Sequence, residues 1–476
     1  MKTMLIFPYV GEDVSIDEPP LGILYLASVL RQETEVKVVD AHVERLRPQA
    51  LMGPISDMQP NIVGISCNTL QVTETYALAR TIREHYPHIT IVVGGPHPSI
   101  KAEEMLQACE EIDIAVVGEG EATIKELVRC IQEGSPFSEV PGLVYRDAGR
   151  LVATPKREFI GDLDEVPFPS HDLNEPLTRY KLFPIVGVLP SRGCPFHCLY
   201  CSNPVWGRSN RRRSAKNVAD EVEFLVNTYG VTGIDFHDDI FNLNPKDVLS
   251  LCDELINRGL NKKVAWACEA RVNRKLVSKE LLDKMSEAGC RLISFGIESG
   301  NQKILENIRK KITLEEVERA VSLTKEAGIA VRGFFMIGNL GEDVSTVFDT
   351  IRFSKKLGVD AAQFTIATPF PGSDYYEIIK GQGTILNEDY ARYTEREAHI
   401  ETEWLSRRQL FALKNLADFE NLLNGNNLDI FSLLLARPDK KRIFLESAMK
   451  IVKRFFETKY RVSSLIYLIK FRLSRS

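Results

Sequence analysis

The 476-residue sequence has no apolar run approaching the roughly 20 residues needed to cross a bilayer. Its first residues, MKTMLIFPYV, enter a strand-like pattern without an apolar leader and cleavage site. These absences exclude an obvious secreted or integral membrane protein and predict a cytoplasmic one. No short-period repeat occurs, which excludes a solenoid. The G-x-G-x-x-G fingerprint is missing after the first apolar run, which argues against a flavin or nicotinamide site. A net charge of −5 gives no reason to expect a nucleic-acid partner. Hydrophobic residues at 44% and charged ones at 26% exclude global disorder. Nine cysteines, an odd number, argue for a reducing compartment.

Residues 1–150 alternate between short apolar runs and helix-length segments. The runs are 3–9, 35–39, 61–66, 89–95 and 113–120. Strands this apolar, separated by helices, predict a doubly wound parallel sheet that binds its ligand at the carboxyl ends of the strands. Residues 140–155 read as a hairpin turning at Ala148-Gly149, and 162–170 as an acidic, proline-bearing linker. Six further strand candidates follow at 185–190, 232–237, 264–270, 291–297, 331–338 and 361–367, each pair separated by a helix signal. Six such units predict a partial (β/α)6 TIM-like barrel with its site at the C-terminal strand ends. The expected organisation is α/β: a Rossmann-like domain over 1–140, a hairpin and linker over 141–184, the barrel over 185–400 and a helical region over 401–476.

Six cysteines (67, 109, 130, 252, 268 and 290) are scattered and read as small buried apolar residues. The other three stand together in Ser191-Arg-Gly-Cys194-Pro-Phe-His-Cys198-Leu-Tyr-Cys201, a C-x3-C-x2-C spacing just after the first strand of the second series. Thiolates suit zinc or an iron–sulfur cluster. A closed zinc site needs a fourth ligand, for which His197 is awkwardly placed. Three thiolates on a four-iron cluster leave one iron open.

This spacing, with Tyr200 before the last cysteine, resembles the signature of radical S-adenosylmethionine (SAM) enzymes. The resemblance covers roughly residues 185–400 and implies that Cys194, Cys198 and Cys201 hold a [4Fe–4S] cluster. In that family the open iron chelates SAM, and an electron from an external flavodoxin- or ferredoxin-like donor cleaves it to a 5′-deoxyadenosyl radical. The barrel motifs agree in order. Asp238 and Asp239, in Asp235-Phe-His-Asp238-Asp239, resemble residues that receive the SAM amino group; helix capping is the alternative. Arg271 resembles a SAM-contacting position, with a surface salt bridge as the alternative. Ser294 and Glu298, in Ser294-Phe-Gly-Ile-Glu298, resemble the fourth-strand stretch whose glutamate accepts from ribose. A structural glutamate is the alternative for Glu298. Gly338, in Gly333-Phe-Phe-Met-Ile-Gly338, resembles the glycine-rich turn where backbone approaches adenine.

The first domain resembles the cobalamin-binding domain of one large radical SAM class. The carrying segments are Glu18-Pro-Pro-Leu21-Gly22, Ser66-Cys-Asn68-Thr69, Gly94-Gly95-Pro-His97 and Gly118-Glu119-Gly120. The resemblance implies cobalamin contacts from Leu21, Ser66, Asn68, Thr69, Gly94, Gly95, His97, Gly118 and Glu119. Generic nucleotide binding is the alternative. The D-x-H-x-x-G motif whose His coordinates cobalt from below is absent, so cobalamin with its own base displaced and no protein His ligand is expected. Methylthiotransferases, the nearest confusable class, pair the barrel with a second cluster, but Cys67, Cys109 and Cys130 are too widely spaced for one.

Residues 440–476 carry eleven Lys/Arg against two acids, on a body of 49 basic and 63 acidic residues. A basic amphipathic helix there could lie on an anionic membrane surface, which would favour a lipid or isoprenoid substrate. A closing helix packed on the barrel is the equal alternative. The resemblance as a whole implies an enzyme that methylates an unactivated carbon through methylcobalamin. Ring formation, rearrangement or oxidation with the same cofactors is a second reading, and a cobalamin or redox sensor a third. The substrate is not legible. Nor is a proton-transfer residue; Tyr375 and Tyr376 read as packing residues.

Overall fold

The computed structural model describes residues 1–11, 18–382, 384–386, 389–394 and 397–423. The basic segment 440–476, with its membrane and packing readings, lies outside the described residues.

The five expected N-terminal strands form. They are β1 (Lys2–Phe7), β2 (Glu35–Asp40), β3 (Ile62–Ser66), β4 (Thr90–Gly94) and β5 (Ile114–Val116). They pair in parallel in the order β2-β1-β3-β4-β5, so the winding reverses between β1 and β3. Alternate side chains feed two separate cores. Met4, Ile6, Val63 and Ile91 pack under α2 (Pro48–Met58), α3 (Val72–His85) and α4 (Pro96–Ala108). Leu5, Ile62, Val92 and Ile114 pack under α1 (Leu21–Leu30) and α5 (Gly120–Glu133). Burial on both faces is why these strands read as unbroken apolar runs. The fifth is shorter than its apolar run because Gly118, at φ +84°, turns the chain.

The hairpin β6 (Leu143–Asp147) and β7 (Arg150–Ala153) turns at Ala148 and Gly149, both at positive φ (+45° and +79°). That conformation matches the twist of a tight hairpin. It does not stand apart from the sheet: β6 pairs antiparallel with β5 and extends it to seven strands. Residues 162–180 run back over the first domain. Arg31 pairs with Asp172 at 2.9 Å, and the Tyr180 hydroxyl donates to buried Asp40 at 2.7 Å.

The second series opens with β8 (Ile185–Val188) and a short ribbon of β9 (Ser191–Arg192) and β10 (Arg211–Arg212). The barrel strands continue with β11 (Gly233–Phe236), β12 (Ala265–Ala270), β13 (Cys290–Glu298), β14 (Ala330–Ile337) and β15 (Ala361–Ile366). All six are parallel in the order β8-β11-β12-β13-β14-β15, an open partial barrel. Helices α6 (Ala215–Tyr229), α7 (Pro245–Asn257), α8 (Lys279–Glu287), α9 (Gln302–Asn307), α10 (Leu314–Glu326) and α11 (Val344–Leu357) fill the crossovers. After β15 come α12 (Asp374–Gly381), still within the barrel segment, and α13 (Arg407–Leu423), the helix described in the C-terminal region.

Ile234, Cys268, Ile293 and Val331 face outward into the core shared with the helices. Their neighbours Asp235, Glu269, Ser294 and Arg332 therefore project into the lumen. Beneath them lies a small apolar layer of Ala267, Leu292 and Ala361. Tyr375 and Tyr376 are buried.

Candidate active site

The cysteine loop runs from β9 towards β10. Gly193 starts it at φ +88°, and an added Cβ would stand 2.1 Å from the Ser209 carbonyl oxygen, so only glycine fits. Asp239 accepts from the Gly193 N–H at 3.1 Å and from Asn203 at 3.0 Å; Arg208 donates to the carbonyls of Phe196 and Cys201. Cys198 is buried, and Cys194 and Cys201 are half-buried. Burial, with Cys194 and Cys198 beside it, pushes the Cys201 thiol up to about 11. Metal binding would be needed to hold it as a thiolate.

Single zinc bonds of ~2.3 Å would draw the sulfurs to roughly 3.8 Å from one another. Among the described residues, one group of three candidate ligand atoms lies within 4.8 Å, and it is Glu18, Asp235 and His237. The thiols stand farther apart than one ion allows, and His197 is exposed. Three separated thiols fit a cluster whose irons each take one sulfur.

Arg271 lies against this loop. Its guanidinium stacks 3.7 Å over the Phe196 ring and reaches to 3.8 Å from the Cys198 sulfur. It is buried, so the surface-salt-bridge alternative falls. Its other contacts are Asn273 and the Lys310 carbonyl. Glu298 ends β13 at φ +67°, a strained conformation for a non-glycine, where the pairing with β14 slips. Its carboxylate accepts from Tyr200 at 2.8 Å and from buried Lys310 at 2.7 Å. Gly296 leaves the slot for this pair: a Cβ there would stand 2.7 Å from the Lys310 nitrogen.

The two expected acids separate. Asp239 is exposed and occupied in bracing the cysteine loop. Asp238 is buried; one oxygen accepts from Ser191 and lies 3.9 Å from Arg212, while Oδ2 is buried with no partner. Burial pushes this carboxyl up to about 6. An orphaned carboxylate oxygen fits an ammonium donor. Neither acid caps a helix, since Asn244 caps α7. Ser294 is buried and accepts from Arg332 at 2.9 Å. Both backbone polar groups of Gly338 are already used, by Glu342 at 2.6 Å and Tyr375 at 2.6 Å.

A cavity of about 670 Å³ lies between the strand ends of the first sheet and the barrel. Of the residues expected at cobalamin, Leu21, Ser66, Gly94, Gly95 and Gly118 line it. A Cβ on Gly22 would meet nothing within 4 Å, so the wall is open to a large flat ligand. The cavity continues past Leu5, Val92, Val116 and Ile124, into the core beneath α1 and α5. That apolar extension is the kind of space a displaced base requires. Leu189, Arg192, Val205, Trp206 and His237 close it from the barrel side.

Four expected contacts are placed elsewhere. Asn68 and Thr69 line a smaller cavity of about 250 Å³ together with Tyr200 and Ser202 of the cysteine loop. His97 lines neither cavity; it is buried, 3.2 Å from the Thr69 hydroxyl and edge-on to Tyr390. Burial and nearby Lys101 lower its pKa to about 4. The Glu119 carboxylate turns to the interface. It pairs with Arg192 at 3.1 Å and Arg211 at 2.9 Å, and accepts from the Ile160 N–H. Arg192 also pairs with Glu121 at 2.6 Å. The basic run 208–213 was a sequence signal for the Arg211 pair; Arg192, alone before the cysteines, had none. Lys310 and the Glu18–His237 contact had no such signal, because each joins residues far apart in the chain.

Residues 9–128 match the B12 binding domain model, and residues 188–354 match the Radical SAM superfamily model. An uncharacterized methyltransferase from Pyrococcus horikoshii is 35% identical over 420 residues, covering 87% of this chain and 90% of its own. The chain belongs to the B12-binding radical SAM family. An anaerobic magnesium-protoporphyrin IX monomethyl ester cyclase from Rubrivivax gelatinosus is 30% identical over 406 residues, covering 83% and 72% of the two chains. In fold, this radical SAM enzyme is similar to the cobalamin-dependent enzyme OxsB solved with aqua-cobalamin and SAM. The TM-score is 0.76 at 18% identity, over 100% of this chain and 75% of that one. Its cofactors are a [4Fe–4S] cluster, SAM and cobalamin.

Proposed function

We propose that this enzyme transfers a methyl group to an unactivated carbon of an organic substrate. The supporting observation is a single cavity bounded by both domains, with Ser66, Gly94 and Gly95 on one wall and Leu189, Trp206 and His237 on the other. A group held on the first sheet would face the barrel mouth directly. When bound, the cluster and SAM supply a hydrogen-abstracting radical, and cobalamin supplies a transferable methyl group.

In this reading Cys194, Cys198 and Cys201 hold the cluster, and Asp238 Oδ2 receives the SAM ammonium. Arg271 fixes the loop around Cys198, and Lys310 with Tyr200 orients Glu298 for the ribose. Leu21, Ser66, Gly94, Gly95 and Gly118 cradle cobalamin, with Asn68 and Thr69 at the adjoining cavity. The cobalamin domain takes in the hairpin and ends near residue 153, and the barrel begins at 185. The lumen above the alanine layer carries Asp235, Glu269, Ser294 and Arg332. It favours a substrate whose reacting end is polar; a lipid or isoprenoid would have to present such an end. An external one-electron donor completes the reaction.

The cyclase relative supports a second outcome on the same scaffold, in which the radical leads to ring formation. The two are separated by SAM products under anaerobic turnover. Methyl transfer yields S-adenosylhomocysteine alongside 5′-deoxyadenosine, and a product heavier by a CH2 unit. 5′-Deoxyadenosine without S-adenosylhomocysteine would sink the methyl-transfer reading.

A further inference from the structure

One cluster in the interdomain cavity has no chemical role in the reading above, where His237 and Asp235 serve only as wall and lumen residues. Glu18, from the loop before α1, reaches across to the barrel and lies 2.8 Å from His237 Nε2. His237 follows the last residue of β11, and Asp235 stands one lumen position below it on the same strand. One ligand atom from each of the three falls within 4.8 Å of the others. Glycine at position 187 makes the arrangement possible. A Cβ there would stand 2.7 Å from His237 Nε2 and 2.9 Å from the Glu18 carboxylate. Both His237 and Glu18 line the 670 Å³ cavity, and the His237 side chain is 45% exposed.

Charge at this point is concentrated. Three carboxylates, from Glu18, Asp235 and Glu269, converge on one imidazole, with Arg332 as the nearby guanidinium. A surplus of carboxylates over cationic groups at one point suits a bound cation.

We propose that Glu18, Asp235 and His237 bind a divalent transition-metal ion, of the Mn²⁺, Fe²⁺ or Zn²⁺ kind. One imidazole nitrogen and two carboxylate oxygens are ligands of that class. Three protein ligands leave the remaining coordination positions facing the cavity, where they can take water or an oxygen donor of the substrate. The ion takes the place of the hydrogen bond that now joins His237 Nε2 to the Glu18 carboxylate, and any proton held between them leaves to solvent. Because Glu18 comes from the first domain and the other two ligands from the barrel, the ion also bridges the cavity. Glu269 and Arg332 stand in the lumen around it.

The test needs no turnover and is independent of the methyl-transfer reading. The full chain, loaded with cluster and cobalamin, is dialysed against Mn²⁺ alone and its manganese content measured. One Mn²⁺ per chain is expected. Glu18→Gln, Asp235→Asn and His237→Gln should each weaken binding by at least about tenfold, as losing a direct ligand must cost no less than losing an outer-shell partner. Their iron contents should not change. His237→Gln can still donate to Glu18, so a loss confined to manganese isolates the imidazole as ligand. Glu103→Gln, on the exposed side of α4, should bind as the parent does. No bound Mn²⁺ in the parent, or undiminished binding in all three variants, would overturn the site and leave the His237–Glu18 contact as an interdomain hydrogen bond only.

Discussion

Replacing Asp238 by Asn should stabilise the cofactor-free protein while impairing its reaction with SAM, and the stabilisation should grow with pH. Asp238 is buried, with Oδ2 unpartnered and Arg212 no closer than 3.9 Å. Burial raises the carboxyl from 3.8 to about 6. The native state thus holds this proton more tightly than the unfolded chain does. Stability is full well below pH 4, is lost as pH rises from about 4 through about 6, and stays lower above that. The loss amounts to roughly 1.5 kcal/mol at pH 5 and about 3 kcal/mol at pH 8. An Asn side chain cannot ionise, and its carbonyl can still accept from Ser191. Its amide, left without an acceptor, costs about 1 kcal/mol or more at every pH. The pH-dependent part survives that offset: the advantage of Asp238→Asn should increase by about 1.5 kcal/mol between pH 5 and pH 8. In a barrel of this size that is roughly 3–6 °C in Tm. Thermal unfolding of parent and variant at the two pH values measures it. A Tm difference that does not change with pH would refute the reasoning, because it would mean that the carboxylate is not held in a desolvated, cation-seeking position. The same variant should need more SAM to reach half-maximal 5′-deoxyadenosine formation.

Cys198→Ala should lose nearly all of about four irons per chain while keeping its cobalt, read by metal analysis after anaerobic reconstitution. Gly193→Ala places a Cβ 2.1 Å from the Ser209 carbonyl, so it should likewise fall in iron content with cobalamin binding intact; normal iron would show that the loop can open. Lys310→Met leaves the buried Glu298 carboxylate without its cation and with only the Tyr200 hydroxyl as donor, which should cost about 3 kcal/mol in denaturant unfolding. Adding Glu298→Gln should recover most of that stability but not the rate of SAM cleavage, whereas recovery of both would make the pair purely structural.

Much of this was legible in the sequence because it rests on local pattern. Strands buried on both faces must be apolar throughout, so 61–66 and 89–95 declared themselves. Ala148-Gly149 marked the hairpin, though not its place in the sheet, since pairing with β5 depends on partners distant in the chain. The cysteine spacing marked the proposed cluster loop, because its three thiols lie on one short segment. Side-chain direction was less legible. Glu119 and His97 stand at or near the starts of α5 and α4, but one turns to Arg192 and Arg211 and the other to Thr69. Adjacent Asp238 and Asp239 looked equivalent, yet past the end of β11 the chain buries only Asp238 and leaves Asp239 exposed. Lys310 carried no signal, because its approach to Glu298 depends on a loop with Arg309 and Lys311 both at positive φ.

The ribbon that carries Arg192 and Arg211 has a consequence for how the enzyme is put together in the cell. Its two strands emerge at either end of the cysteine loop, and both arginines are gripped by Glu119 at the head of α5. Docking of the first domain therefore braces both ends of the cysteine loop. On the proposed role of that loop, cluster insertion and domain docking are linked, and a barrel made without the first domain should lose iron more readily than the full chain.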